Sequence, residues 1–319
     1  MDTTGWTLRL DPWSAEYDAS VLLTEAEEPP ATVDPRVETP DWAAMRPVPG
    51  PYAPPVYFVD GVRRIDHRLR IVGPVTCFGL LGTFAVGACA AGVQPGVVRD
   101  VVLRLMCVGG GIELPAFEAL TSTASLVFEP HPVPENTPLS PLQGLQNAMR
   151  RAEGVLACEL AESGGLVFLD GPLTFAESGR AAVIGFVKRL LRSYLAADAA
   201  ALLPRLAIGE RTPLFLIEDA VHPRYSWYAR IAHGRAIEDA LTGVVRLETS
   251  AAAGLSAARE RADLSARLLP PFASDAARDP RAPQNLLPIG GLESRLRHLM
   301  GDPLIVRRAI EKRLHEAVA

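Results

Sequence analysis

With 319 residues, 48% hydrophobic and 22% charged, the chain has the length and composition to bury a large core, which excludes disordered, fibrous and disulfide-framework classes. Its formal net charge of −5 excludes a uniformly basic nucleic-acid binder, but the charge is unevenly spread. Residues 1–60 hold eleven acids and three bases, −8 in all, so the rest of the chain carries +3 and leaves room for local basic patches.

The N-terminus has no basic stretch followed by an apolar one, so no signal peptide is expected. Cys77, Cys89, Cys107 and Cys158 show no CxxC spacing and read as reduced residues of a cytoplasmic protein. Residues 1–55 read as an acidic arm, proline-rich from about Glu28, extended or packed on a partner. From Val56 onward a folded domain is expected to run to the end.

Val56–Ile71 alternates like a strand, interrupted by Asp60-Gly61. Val75–Ala91 and Val97–Val108 follow as strands, with turns at Gly92–Gly96 and Gly109–Gly111, which suggests an antiparallel meander. The uncharged run from Ile71 to Val98 is long enough to cross a bilayer, but its many glycines and prolines favour buried strands. Glu129–Pro141 reads as a loop ending in Ser140-Pro141, a helix N-cap and first helical residue. Leu142, Leu145, Met149, Ala152 and Leu156 then recur at helical spacing. Leu166–Leu169 and Val183–Lys188 read as buried strands. Pro213–Ile217, Ser226–Ile231 and Val244–Thr249 add strands before helices at Ala251–Leu269, Ile289–Met300 and Leu304–Ala317. The expected fold is α/β: a ribonuclease H-like mixed sheet flanked by helices, with extra strands inserted before the C-terminal helices.

Three carboxylates stand where the pattern predicts burial. Asp60 follows Val56-Tyr57-Phe58-Val59, with Gly61 behind it to permit close approach. Asp170 ends Leu166-Val167-Phe168-Leu169. Glu153 lies four residues after Met149 and three before Leu156, on the border of the helix's apolar face, with Glu159 as its competitor. Isolated ionised carboxylates at such positions are unfavourable, so three together point to bound cations. Oxygen ligands suit Mg²⁺ and Mn²⁺, and a pair of such ions serves phosphodiester hydrolysis. Asp-Gly turns at strand ends explain the two aspartates structurally, and a solvated helix face explains the glutamate.

Phe58-Val59-Asp60-Gly61-Val62-Arg63 and Leu166-Val167-Phe168-Leu169-Asp170-Gly171-Pro172-Leu173 resemble the two acidic motifs of the NurA nucleases. Val183-Ile184-Gly185-Phe186-Val187-Lys188-Arg189 is similar to the family's next strand with its lysine. Pro283-Gln284-Asn285-Leu286-Leu287-Pro288-Ile289, continuing through Leu296-Arg297-His298-Leu299-Met300-Gly301-Asp302, resembles its closing signature. Val62 departs from the small polar residue often found after Asp-Gly. The resemblance runs from about Val56 to the end and implies a Mn²⁺- or Mg²⁺-dependent exonuclease and single-strand endonuclease, working as a homodimer with HerA, a hexameric DNA-translocating ATPase, in resecting double-strand breaks. It implies two ions held by Asp60, Glu153, Asp170 and His298, with Lys188 beside the phosphate and Asp302 either supporting His298 or ending its helix. Arg63, Arg64, Arg150, Arg151, Arg189 and Arg192 then flank a DNA channel, and Tyr228, with Tyr225 and Trp227, offers stacking surface for unpaired bases. Two other classes stay open: an actin-like phosphotransferase, which also uses Asp-Gly turns, and a non-catalytic adaptor of a DNA-translocating ATPase.

Overall fold

The computed structural model describes residues 7–10 and 32–316, apart from 53, 92–95, 174, 175, 177, 191, 192, 220, 236 and 276–281. Two short strands, β1 (Thr7–Leu10) and β2 (Thr32–Asp34), precede three long ones, β3 (Val56–Val72), β4 (Thr76–Ala91) and β5 (Gly96–Val108). A hairpin of β6 (Phe117–Leu120) and β7 (Ser125–Pro132) leads to helix α1 (Ser140–Glu162), then β8 (Leu166–Asp170) and β9 (Val183–Val187). After the one-turn helix α2 (Ala197–Ala200) come β10 (Phe215–Glu218), β11 (Arg224–Arg230) and β12 (Val244–Ser250). Helices α3 (Leu255–Leu268), α4 (Leu287–Leu299) and α5 (Pro303–Glu316) close the chain.

The strands form one large mixed sheet in the order β2-β10-β11-β12-β9-β8-β3-β4-β5-β7-β6, with β1 paired to the far end of β3. The meander β3-β4-β5 is antiparallel, and β8 and β9 run parallel to β3. Helices cover both faces. Val59, Phe84, Val167 and Leu169 pack under α1 through Leu142, Leu145 and Met149. On the other face, Phe58, Phe168, Phe186 and Trp227 pack with Ala262 of α3 and Leu292 and Leu296 of α4. A third cluster seats α5, through Val306 and Ile310, on Phe117, Phe128 and Leu69.

The glycine-rich run that is long enough for a membrane is strand β4. A Cβ at Gly82 would strike Leu145 of α1, and one at Gly87 would crowd Leu292 and Leu296 of α4. Glycine at these two positions lets helices approach the same strand from opposite faces. Among the described residues, no helix is long and apolar enough to cross a membrane. All four cysteines are free thiols.

Three expectations need correction. The first part of the expected loop, Glu129–Pro132, is strand, the end of β7, which with β6 buries Phe117, Ala119, Leu126 and Phe128 beneath α5. That pattern is too short, and too interrupted by proline, to read from sequence. The described part of the N-terminal arm packs on this chain's own sheet, where β2 pairs with β10. An open strand edge supplies unpaired backbone groups for any nearby segment to satisfy. Finally, Ser140 is the first residue of α1 rather than its cap. Its hydroxyl donates back to Glu135 and Thr137 carbonyls instead of accepting from the first turn. Of the expected turns, residues 92–95 lie outside the described residues.

Candidate metal centre

Asp60 and Asp170 lie on adjacent parallel strands, one step beyond the last paired residues, Val59 and Leu169. Two residues before each stands a phenylalanine, and the Phe58 and Phe168 rings stack in the core beneath α3 and α4, with centroids 5.4 Å apart. Side chains alternate along a strand, so both carboxylates turn to that same face. Helix α4 crosses there and brings Glu293. Carboxylate oxygens of Asp60, Asp170 and Glu293 all lie within 4.8 Å of one another. Asp170 ends β8 and Lys188 follows the last residue of β9, so the cluster sits at the carboxyl ends of these two strands, where open α/β sheets form binding crevices, while β3 runs on past Asp60 to Val72.

The surroundings of these groups are uneven. Asp60 is 5% exposed and accepts no hydrogen bond from the described residues. Burial first, then the charges of Asp170 and Glu153, push its carboxyl well above the usual aspartate range, while Lys188 opposes the shift. Asp170 is better satisfied. Its Oδ2 accepts from Lys188 Nζ at 2.6 Å, and Lys188 donates in turn to Asn285 Oδ1 at 2.7 Å.

Glu153, expected as a third ligand, lies on the opposite face of the sheet and outside the group formed by Asp60, Asp170 and Glu293. Gly61 turns toward α1, and a Cβ there would collide with Glu153 Oε1 and crowd Met149. Only the missing side chain lets the glutamate lie against the strand, as expected from the Asp60-Gly61 pair. Glu153 is fully buried, and its Oε2 accepts from Arg150 at 3.0 Å. Its Oε1 lies beside the Gly61 backbone without a hydrogen bond of normal geometry. Burial raises its carboxyl above the ordinary range, and Arg150 pulls the other way. Arg150 also donates to the Asp170 carbonyl at 2.6 Å and so ties α1 to the end of β8. The donors that meet here are oxygens, and the two most buried carboxylates lack full sets of hydrogen-bond donors. A hard divalent cation fits that set.

No protein-family profile matches the chain, and no curated protein matches it. Solved structures do, two of them NurA. One is a crystal structure of NurA bound to dAMP and manganese, 16% identical over 40% of this chain and 22% of that one, with a TM-score of 0.19. The other, NurA with manganese, is 17% identical over the same shares, again with a TM-score of 0.19. The match thus spans about a fifth of the length of those chains. A likeness that partial carries nothing about activity.

The remaining expected site residues divide sharply. Glu159 lies away from the cluster, exposed and paired with Arg99 of β5. His298 is exposed on the last turn of α4, outside the carboxylate group. Asp302 caps α5 by accepting from the Leu304 and Ile305 N–H groups. Arg64 is structural: it binds Asp66 and donates to the Met300 and Gly301 carbonyls. Arg150 is held inside the site as described. Arg63 donates to Gln146 of α1, while Arg151 and Arg189 are exposed. Tyr228 is buried and stacks on Phe215 at 5.7 Å, so its ring is not open to a base. Trp227 is equally buried, and its Nε1 donates to Ser265. Arg192 lies outside the described residues.

Glu293 and Asn285 join this setting although the sequence reading did not single them out as site residues. Glu293 had a usable signal. It falls four residues after Ile289 and three before Leu296, the same relation to an apolar helix face that marked Glu153.

Proposed function

We propose that the chain is a divalent-metal-dependent nuclease that hydrolyses phosphodiester bonds in DNA. The observation that carries this reading is the meeting of Asp60, Asp170 and Glu293, with Asp60 buried and given no hydrogen-bond donor by the described residues. When bound, divalent ions at such a site polarise a phosphoryl oxygen and lower the pKa of a coordinated water. The protein's part is placement. Asp60 and Asp170, on rigid parallel strands, hold the cation against the sheet, and Glu153 adds negative charge from behind. Lys188, steadied by Asp170 and Asn285, keeps a compact positive charge at the rim, where it can contact a phosphate oxygen. Arg150 fixes the Asp170 end of β8, and exposed Arg189 extends the positive rim.

In this reading the central strands, ordered β5-β4-β3-β8-β9, form a ribonuclease H-like core. The enzyme acts as exonuclease and single-strand endonuclease at broken DNA ends, as a homodimer in the cytoplasm and with a HerA-type ATPase. The outer stretch of β5 leaves Val97, Val98, Val101 and Leu103 exposed, which supplies apolar surface for a second copy. An adaptor without catalysis would have no use for carboxylates gathered around a buried Asp60.

The test is a Mn²⁺ titration of cleavage on end-labelled single- and double-stranded DNA, with and without the ATPase. Cleavage is expected to require the metal and to fall to the level of a no-enzyme control in Asp60→Ala and Asp170→Ala, with both variants still folded. Normal degradation by either variant overturns the reading.

A further inference from the structure

We infer that Glu293, and not His298, supplies the remaining protein ligand to the cation, so that the ion is held by oxygen atoms alone. The inference rests on the metal-site reading of Asp60 and Asp170 and departs from the resemblance, which assigns that part to His298. Helix phase decides between the two. Five residues at 3.6 per turn place their side chains about 140° apart around α4, so they cannot both face the sheet. Leu292 and Leu296 are buried against the sheet and fix the rotation of the helix. That rotation brings a Glu293 carboxylate oxygen within 4.8 Å of oxygens from Asp60 and Asp170, and leaves His298 in solvent. The Glu293 side chain is 12% exposed, with Arg297 3.8 Å from Oε2.

Asp60 points independently to a missing positive charge: it is 5% exposed and accepts no hydrogen bond from the described residues. Glu153 adds negative charge from the other face of the sheet; it is fully buried, Arg150 engages its Oε2, and its Oε1 lies against Gly61, the residue after Asp60. A buried carboxylate that no donor among the described residues answers needs a cation close by. An oxygen-only set suits Mg²⁺ and Mn²⁺ and lacks the imidazole that favours Zn²⁺.

The experiment uses the full chain and Mn²⁺ alone, with free Mn²⁺ followed by electron paramagnetic resonance and the bound ion by electron spin echo modulation. Wild-type protein is expected to bind Mn²⁺ saturably without ¹⁴N modulation from an imidazole, and His298→Ala is expected to change neither result. Glu293→Gln is expected to weaken binding about tenfold or more. Glu293→His is expected to introduce imidazole modulation, which a purely electrostatic role for Glu293 would not produce. Imidazole modulation in the wild type that disappears in His298→Ala overturns the inference, as does wild-type affinity in Glu293→Gln. If Glu293→His does not fold, the wild-type spectrum and the Glu293→Gln isotherm decide. Cleavage is not part of the readout. Mn²⁺ bound as described by a chain that cuts no DNA would sink the nuclease reading alone, and DNA cleavage by a chain whose ion carries His298 would sink this inference alone.

Discussion

At Asp60, folding sets a carboxylate where water cannot reach it well and no donor among the described residues compensates. Because its carboxyl is pushed well above the usual range, the folded chain keeps a proton that the unfolded chain has already lost. Without metal, stability should therefore fall as pH climbs from the ordinary aspartate range through the raised value. Thermal melts of metal-free protein are expected to show Tm dropping over that span. Asp60→Asn should flatten the drop, and saturating Mn²⁺ should remove it, since the ion takes the deprotonated form. A wild-type slope in Asp60→Asn would count against this account. Gly61 presents the complementary steric case. Its replacement by alanine drives a Cβ into Glu153, and a loss of about 1–3 kcal/mol is expected in denaturant titrations, together with weaker Mn²⁺ binding.

At the scale of elements, the position of Glu293 depends on how α4 is seated. Besides Leu292 and Leu296, the helix is held at its C-terminal end by Arg64. The guanidinium donates to the Met300 and Gly301 carbonyls and to Asp66 at 2.7 Å. Asp66 is fully buried, also accepts from Thr83, and lies where β3 slips register against β4 between Ile65 and His67. The irregularity turns a charged residue inward and so gives the last turn of α4 an anchor on the sheet. Arg64→Met would leave Asp66 buried without its ion partner and should destabilise the fold by about 3 kcal/mol. Equilibrium unfolding measures that loss, and Mn²⁺ affinity should decline with it as α4 loosens. Unchanged affinity in a destabilised Arg64→Met would separate the anchor from the metal centre.

Over the whole molecule, the described residues from Thr32 to β3 belong to the folded body. Arg211 is nearly inaccessible and binds both Glu38 oxygens at 2.9 Å and Asp263 of α3 at 2.6 Å. Burial raises the Glu38 carboxyl, but Arg211 and the Leu214 N–H outweigh it and hold the group below the ordinary range. The stability from this group is thus present above the unfolded glutamate pKa and lost as pH falls through the depressed folded value. Arg211→Met should cost about 3–5 kcal/mol by removing one partner of a buried pair. Limited proteolysis should then cut first between residues 32 and 55. Cleavage elsewhere, or wild-type resistance, would contradict the anchoring role.

Much of this architecture is legible in the chain before it folds. The β-branched, partly alternating pattern of Val56–Ile71 and the 3.6-residue spacing along α1 mark their elements, because their apolar side chains must pack against neighbouring layers. Asp60 and Asp170 stand out for the same reason, as charges ending apolar runs. Helix α4 shows where local pattern stops being sufficient. Glu293 and His298 sit on one helix, and although Glu293's place between Ile289 and Leu296 hints at the apolar face, it is the packing of Leu292 and Leu296 that turns Glu293 rather than His298 to the strands. Arg64, Arg150 and Tyr228 likewise read as surface groups for DNA, yet burial and partners from distant segments make them internal. Local sequence carries periodicity and turn chemistry; which polar groups converge depends on contacts between residues far apart in the chain, and those exist only once the layers have packed.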